Sequence, residues 1–565
     1  MTQANPVAVA PHAHQGLDWW RGAVIYQIYP RSFMDANGDG IGDLRGVIDR
    51  LDYIASLNVE AIWLSPFFTS PMKDFGYDVA DYCDVDPMFG TLDDFDRLVE
   101  EAHARGLKVT IDQVLSHTSD QHPWFQESRQ DRTNPKADWY VWADAKPDGS
   151  PPTNWQSVFG GSSWQWDTRR CQYYLHNFLI EQPDLNFRNP EVVEAILGQV
   201  RFWLERGVDG FRLDAINFCT HGELRDNPPA EQVRNGAIGV RPDNPYGFQQ
   251  HLHDKTQPEN LHFLERLRAL FDEYPGTTSV GEVGDDRSLD VMAEYTRGGK
   301  RLHMCYSFDF MNERNDPHYL CSVLRTMEAR INDGWPCWAL GNHDVTRLAT
   351  RWNAAGNEER LRLYMAFLLT QRGSVCIYQG EELGLTEAEL GFDQLVDPAG
   401  ITFWPAYKGR DGCRTPHPWH ADHDHGAFSD APPWLPVPAK HLERAVSRQE
   451  RDPDSLLNAY RAFLAFRRQQ PELVKGDVHY HPVRDDVLCL ERWHSQSHPG
   501  QRILVALNFS DEQRELPAPK AAERLPGAPA LVNGRWEEGR VVLPPWGIAI
   551  ARCPGDSKEE TQWVI

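Results

Sequence analysis

GFRLDAINF, residues 210–218, is an apolar run with Arg212 and Asp214 set close together in it. Residues two apart on a strand face the same side, and arginine and aspartate are rarely buried without a partner. An arginine and a carboxylate are therefore delivered together to one spot at the end of a buried strand. Outward from this stretch, short β-branched or aromatic runs alternate with amphipathic helical stretches from residue 24 to about 473. The candidate strands are VIYQIYPRSF from 24, AIWLSPFF from 61, KVTIDQV from 108, GFRLD from 210, TTSVGEV from 277, YSFDF from 306, CWALGNHD from 337 and VCIYQGEE from 375. Eight strands in alternation with helices are the pattern of an α/β fold closed into a (β/α)8 TIM barrel.

Helix ends support this reading. Thr91 with Asp94 three residues on resembles a capping box, Phe95, Leu98, Val99 and Ala102 form a stripe, and Gly106 stops it. Asn189 and Pro190 open another helix, with Val193, Ile196, Val200 and Leu204 at helical spacing before Gly207. Two connections are too long for ordinary loops. Residues 116–188, rich in Trp, Pro, Asn and Gly, read as a small domain inserted after strand three, and about 385–450 follows strand eight. From 474 to 565 the helical period gives way to short alternating runs such as VLCLERW and RILVALNFS, the pattern of an antiparallel β-sandwich. The barrel then spans 18–115 and 189–473, and residues 1–17 read as a disordered leader.

A chain of 565 residues with 57 Lys+Arg against 82 Asp+Glu carries a net charge of −25. This repels phosphate backbones and excludes nucleic acid as a partner. With 41% hydrophobic residues the chain is globular, and no stretch has the length of a membrane span. The N-terminus lacks a basic region followed by an apolar one. Its ten cysteines are scattered without CxxC or zinc spacing, as expected of thiols in a reducing, cytoplasmic compartment.

The chemistry of a barrel sits at the C-terminal ends of its strands. The polar residues there are Asp112 and His117 after strand three, Arg212 and Asp214 after four, Glu282 after five, and His343 and Asp344 after seven. Carboxylates without a His or Cys cage suggest acid/base and nucleophilic work without an organic cofactor. Glycoside hydrolysis needs such a set, because it places one carboxylate and one carboxylic acid across the scissile bond.

The blocks DQVLSH (112–117), QPDLN (182–186), GFRLDAINF (210–218), GEVG (281–284) and GNHD (341–344), in this order, resemble the conserved regions of the α-amylase family, glycoside hydrolase family 13. QPDLN and RDGCRTP (410–416) are more similar to its α-glucosidase and oligo-1,6-glucosidase branch. The resemblance implies that Asp214 is the nucleophile of a retaining mechanism, kept ionised by Arg212, and that Glu282 is the acid/base, flanked by Val280 and Val283. It implies that Asp344 stabilises the transition state and that His117 and His343 bond hydroxyls of the same glucose. It further implies that Asp74 of MKDFGYD (72–78) pairs with Arg414 to close an exo-acting pocket, with Tyr77 stacked beneath the terminal sugar. Ala215, in place of the valine that accompanies α-1,6 cleavage in these relatives, implies an α-1,4 preference, with transglucosylation as a companion activity.

The loop DANGDGIGD (35–43) offers Asp35, Asn37, Asp39, the Ile41 carbonyl and Asp43 as oxygen ligands for a structural divalent cation, calcium or magnesium. Position 46 is Gly, so the bidentate Glu of an EF-hand is missing. Ser116 stands where the family has Asn, so a supporting bond to His117 is expected to be lost or taken over by water. Rival readings are an oligo-1,6-glucosidase, a sucrose isomerase or other transglucosylase, a trehalose-phosphate hydrolase and a non-catalytic transporter-associated member. The last lacks catalytic carboxylates and has a membrane anchor, neither of which this sequence shows. Small α-glucosides are the expected partners, with no membrane and no nucleic acid.

Overall fold

The computed structural model describes residues 16–230 and 244–554. Most of the expected leader, and the end of the chain beyond 554, lie outside these residues. Eight parallel strands form one sheet: β1 (Val24–Ile28), β2 (Ala61–Leu64), β3 (Lys108–Val114), β4 (Gly210–Asp214), β5 (Thr278–Val283), β6 (Met304–Ser307), β7 (Cys337–Ala339) and β8 (Ser374–Tyr378). Their order is β6-β5-β4-β3-β2-β1-β8-β7. A parallel bridge between Cys305 and Pro336 joins the two ends, and the sheet is a closed TIM barrel.

These strands form because β-branched and aromatic residues run without interruption where both faces are covered. The inner face is packed by Ile25, Ala61, Trp63, Val280, Met304 and Cys337, and Trp19 and Trp20 join this cluster. The outer face joins the helices in the main core. Strand six begins at Met304, two residues before the expected start, and ends at Ser307. Its register against β5, Val280 with Met304 through Val283 with Ser307, decides both ends. Thr91 caps the helix Leu92–Ala104 in a complete capping box, and Asn189 caps Pro190–Glu205.

Between β3 and the helix at 190, the strands Trp142–Ala143, Trp164–Asp167 and Gln172–Leu175 make a small antiparallel sheet with its own apolar cluster. After the barrel, a five-stranded and a three-stranded antiparallel sheet face each other across Val487, Leu504, Ala506, Leu516, Val541 and Leu543. Among the described residues, no helix is long and apolar enough to cross a membrane.

Candidate active site

Parallel register sets the charged residues side by side. Asp112 on β3 pairs with Arg212 on β4, and Glu282 on β5 pairs with Tyr306 on β6. Arg212, fully buried, is the hub. Its Nη1 lies 2.6 Å from Asp214 Oδ1 and 2.8 Å from Asp112 Oδ1, and its Nη2 lies 2.5 Å from Glu282 Oε1. Nε and Nη2 also donate to the Tyr306 hydroxyl, which donates to Glu282 Oε1 at 3.0 Å. Asp112 accepts further bonds from Trp63 and Tyr77. It is thus a buried brace of the hub.

One guanidinium shared by three buried carboxyls does not keep all of them ionised. Burial pushes Glu282 up to about 7, against the pull of Arg212 and with repulsion from Asp214 and Asp344. A carboxyl raised this far can begin a reaction as an acid near neutral pH. Burial also outweighs Arg212 at Asp214, whose carboxyl is pushed up to about 7. The expectation that Arg212 keeps Asp214 ionised is corrected: the arginine pulls in that direction, but desolvation is larger. Asp344 goes the other way. It is buried too, but the Arg410 and Arg414 guanidiniums hold it well below the usual carboxylate range.

The strand ends open into a cavity of about 930 Å³ including its mouth. Asp214, Glu282, Asp344, Asp74, Tyr77 and His117 all line it. Val158, Phe178 and Gln182 from the insert after β3 and Phe403, Tyr407 and Arg410 from the stretch after β8 complete the wall. The two segments meet across the mouth at Gly160, where φ is +91° and a Cβ would stand 3.0 Å from the Phe403 ring.

The expected pairing of Asp74 with Arg414 is not formed. Arg410 Nη2 lies 2.8 Å from Asp74 Oδ1, and Arg410 Nη1 lies 3.2 Å from Asp344 Oδ1. Arg414 instead donates to the His343 carbonyl at 2.7 Å and to Asp344 Oδ1 at 2.8 Å. Both arginines lie in RDGCRTP, and the 3-10 turn Asp411–Cys413 between them sends them to different partners.

Tyr77 stacks on His343 with ring centroids 5.3 Å apart and donates to Asp112 Oδ2 at 3.0 Å. The Gln27 amide donates to His343 Nδ1 at 2.8 Å, which leaves the proton on Nε2, 2.6 Å from the Tyr77 hydroxyl and 3.2 Å from Asp344. Burial holds this imidazole neutral. His343 is fully buried among these partners and orients Tyr77 and Asp344. His117 keeps its support, contrary to the loss expected from Ser116: the Ser116 hydroxyl itself lies 3.0 Å from His117 Nδ1. Gln182 of QPDLN touches both His117 and Asp74.

Ala215 has a φ of +40°, uncommon for any residue but glycine. This turn aims its N–H at Glu282 Oε2, 3.1 Å away, tying the residue after Asp214 to Glu282. Its side chain packs with Val158, Phe218 and Tyr246. Gln182, Tyr306, Asp397 and Arg410 were missed as site residues by sequence reasoning. Arg410 and Gln182 lie inside quoted motifs, and a charge or amide there was the available signal.

In the loop at 35–43, Asp35 accepts from the N–H groups of Asn37, Gly38 and Gly40 and from the Ser429 hydroxyl. Asp43 accepts from Ala36 and Gly46. The donors are all oxygens, the set a hard cation takes. Among the described residues, no group of three or more His, Cys, Asp or Glu stands at metal-holding spacing. A cation here depends on Asn37, Asp39 and the Ile41 carbonyl as well as on the two buried aspartates.

Residues 27–476 of this chain match a family model, "Alpha amylase, catalytic domain". The chain belongs to the α-amylase family. It is a glycoside hydrolase. Within the family it is 56% identical over 542 residues to a "Probable alpha-glucosidase" of Rhizobium meliloti strain 1021, covering 95% of this chain and 97% of that protein. It is 36% identical to an oligo-1,6-glucosidase of Heyndrickxia coagulans, covering 87% and 92%. Among solved structures, an α-glucosyl transfer enzyme, XgtA, superposes with a TM-score of 0.92 at 55% identity, covering 95% of this chain and 99% of that one.

Proposed function

We propose that this family member is a retaining, exo-acting α-glucosidase that releases glucose from the non-reducing end of short α-glucosides. We assign it an α-1,4, maltose-like preference, transglucosylation as a second outcome and a cytoplasmic location. The observation that carries the reading is the closed end of the pocket, where Arg410 spans from Asp74 to Asp344. A chain cannot pass such a bridge, so the sugar bound against it is terminal.

In this mechanism Asp214 attacks the anomeric carbon while Glu282 protonates the leaving oxygen; Glu282 then takes a proton from water as the glycosyl–Asp214 bond breaks. Asp214 and Glu282 are gripped by the two terminal nitrogens of one guanidinium. That supports the short carboxyl separation of retaining enzymes, roughly 5–5.5 Å, over the wider one of inverting enzymes. Transfer to a second sugar uses the same steps with an acceptor hydroxyl in place of water, and the likeness to an α-glucosyl transfer enzyme favours it. A calcium or magnesium ion in the loop at 35–43 belongs to the same proposal. The atoms offered there are oxygens, the type such an ion takes, and its part would be to stiffen the loop.

The deciding test is the product profile and initial rate on maltose, isomaltose, sucrose and trehalose, followed by Asp214→Asn. Release of α-glucose from maltose, abolished in the variant, is the expected result. Conversion of sucrose to an isomer instead of its hydrolysis identifies the isomerase reading.

A further inference from the structure

Arg410 has five N–H donors, and four of them have acceptors in the structure. Nη1 donates to Asp344 Oδ1, and Nη2 donates to both Asp74 Oδ1 and Asp397 Oδ1, the latter two at 2.8 Å. Nε donates to Asp397 Oδ2 at 3.1 Å, and this oxygen also accepts the Arg410 backbone N–H at 2.7 Å. Asp397 thus holds the guanidinium with both oxygens and holds its backbone as well. Asp397 itself is fully buried. Its own N–H and that of Val396 donate to Asp411 Oδ2, and it caps the helical turn Pro398–Thr402 beside the cavity wall.

We propose that Asp397 is a positioning and specificity-determining residue: it fixes Arg410 so that Asp74 and Asp344 keep oxygen lone pairs for the hydroxyls of the terminal glucose. This rests on the exo-pocket reading above. Among the described residues, Asp74 has one protein partner on each oxygen, and Asp344 Oδ2 has only His343. Asp74, Asp344 and Arg410 all line the cavity. A buried guanidinium released by Asp397 carries two newly unpaired donors beside the one already free of a partner among the described residues, and a full charge. It turns onto the carboxylates nearest to it, Asp74 and Asp344, and occupies the positions the sugar requires.

The test compares wild type, Asp397→Asn, Arg410→Met and the double variant. The readouts are the Kd for glucose by calorimetry, KM and kcat on maltose, and thermal unfolding. In Asp397→Asn, glucose Kd and maltose KM rise together by about tenfold while kcat falls by less. In the Arg410→Met background the same change adds less than about twofold, because its target is gone. Equal effects in both backgrounds, or an unchanged glucose Kd, overturn the proposal. Should Asp397→Asn not fold, Asp397→Glu keeps the charge but displaces it, and a wild-type Kd and KM in that variant overturn the proposal equally. Glucose binding without maltose hydrolysis in the wild type sinks the exo-glucosidase reading alone, and the Kd comparison still decides on Asp397. Failure of the wild type to bind glucose overturns both.

Discussion

Arg410 Nη2 meets Asp74 Oδ1 at 2.8 Å across 336 positions of sequence. This contact joins the stretch after β8 to the loop after β2 and closes the pocket. Arg410→Met is expected to raise KM on maltose and other short oligosaccharides by about tenfold or more, with a smaller fall in kcat. Arg414→Met removes a partner of Asp344 and the bond to the His343 carbonyl, and lowers kcat along with kcat/KM. Steady-state kinetics on maltose and maltotriose separate the two, and the reverse pattern contradicts the assignment.

Glu282 has its pKa raised from 4.5 to about 7 by burial. The folded state therefore holds this proton more tightly than the unfolded state does. The stabilisation is full below pH 4.5 and is lost as pH rises through about 7. The proposed mechanism needs Glu282 protonated and Asp214 ionised, so kcat/KM is expected to fall on the alkaline side as Glu282 titrates, with the coupled carboxyls setting the acid limb. Glu282→Gln is expected to be nearly inactive, yet to unfold at a higher temperature than wild type at pH 8. A Tm difference independent of pH counts against a protonated Glu282.

Ala215 sits at φ +40° against Val158, Phe218 and Tyr246. Ala215→Val places a β-branched side chain in a strained backbone conformation, at a cost of about 1–3 kcal/mol. It also disturbs the N–H bond to Glu282. A lower Tm and a larger isomaltose-to-maltose ratio of kcat/KM are expected. An unchanged or smaller ratio shows that linkage choice lies elsewhere in the pocket.

Chelation tests the cation proposed for the loop at 35–43. Removing a bound cation is expected to lower Tm while kcat at low temperature is retained, and adding calcium or magnesium restores Tm in proportion to the logarithm of its concentration. A Tm indifferent to both chelator and cation shows that the hydrogen bonds of Asp35 and Asp43 suffice.

Local regularities made most of this molecule legible in its sequence. The period-2 placement of Arg212 and Asp214, the apolar runs and the helix caps at Thr91 and Asn189 depend on neighbouring residues alone, so the barrel and its charged strand ends could be read directly. His117, Asp214, Glu282 and Asp344 stand in motifs because strand ends have fixed directions. The partners of Arg410 and Arg414 were not legible. Four residues apart, in a segment without a repeating backbone, their directions are set by one 3-10 turn and by Asp397.

Sequence alone placed Asp112, Arg212, Asp214 and Glu282 at the ends of barrel strands, because strand geometry is local. Tertiary structure decided how they share charge. Arg212 serves Asp112, Asp214 and Glu282 at once because parallel register brings β3, β4 and β5 together. The protonation of each follows from burial competing with that single cation, a balance that exists only when the strands are packed.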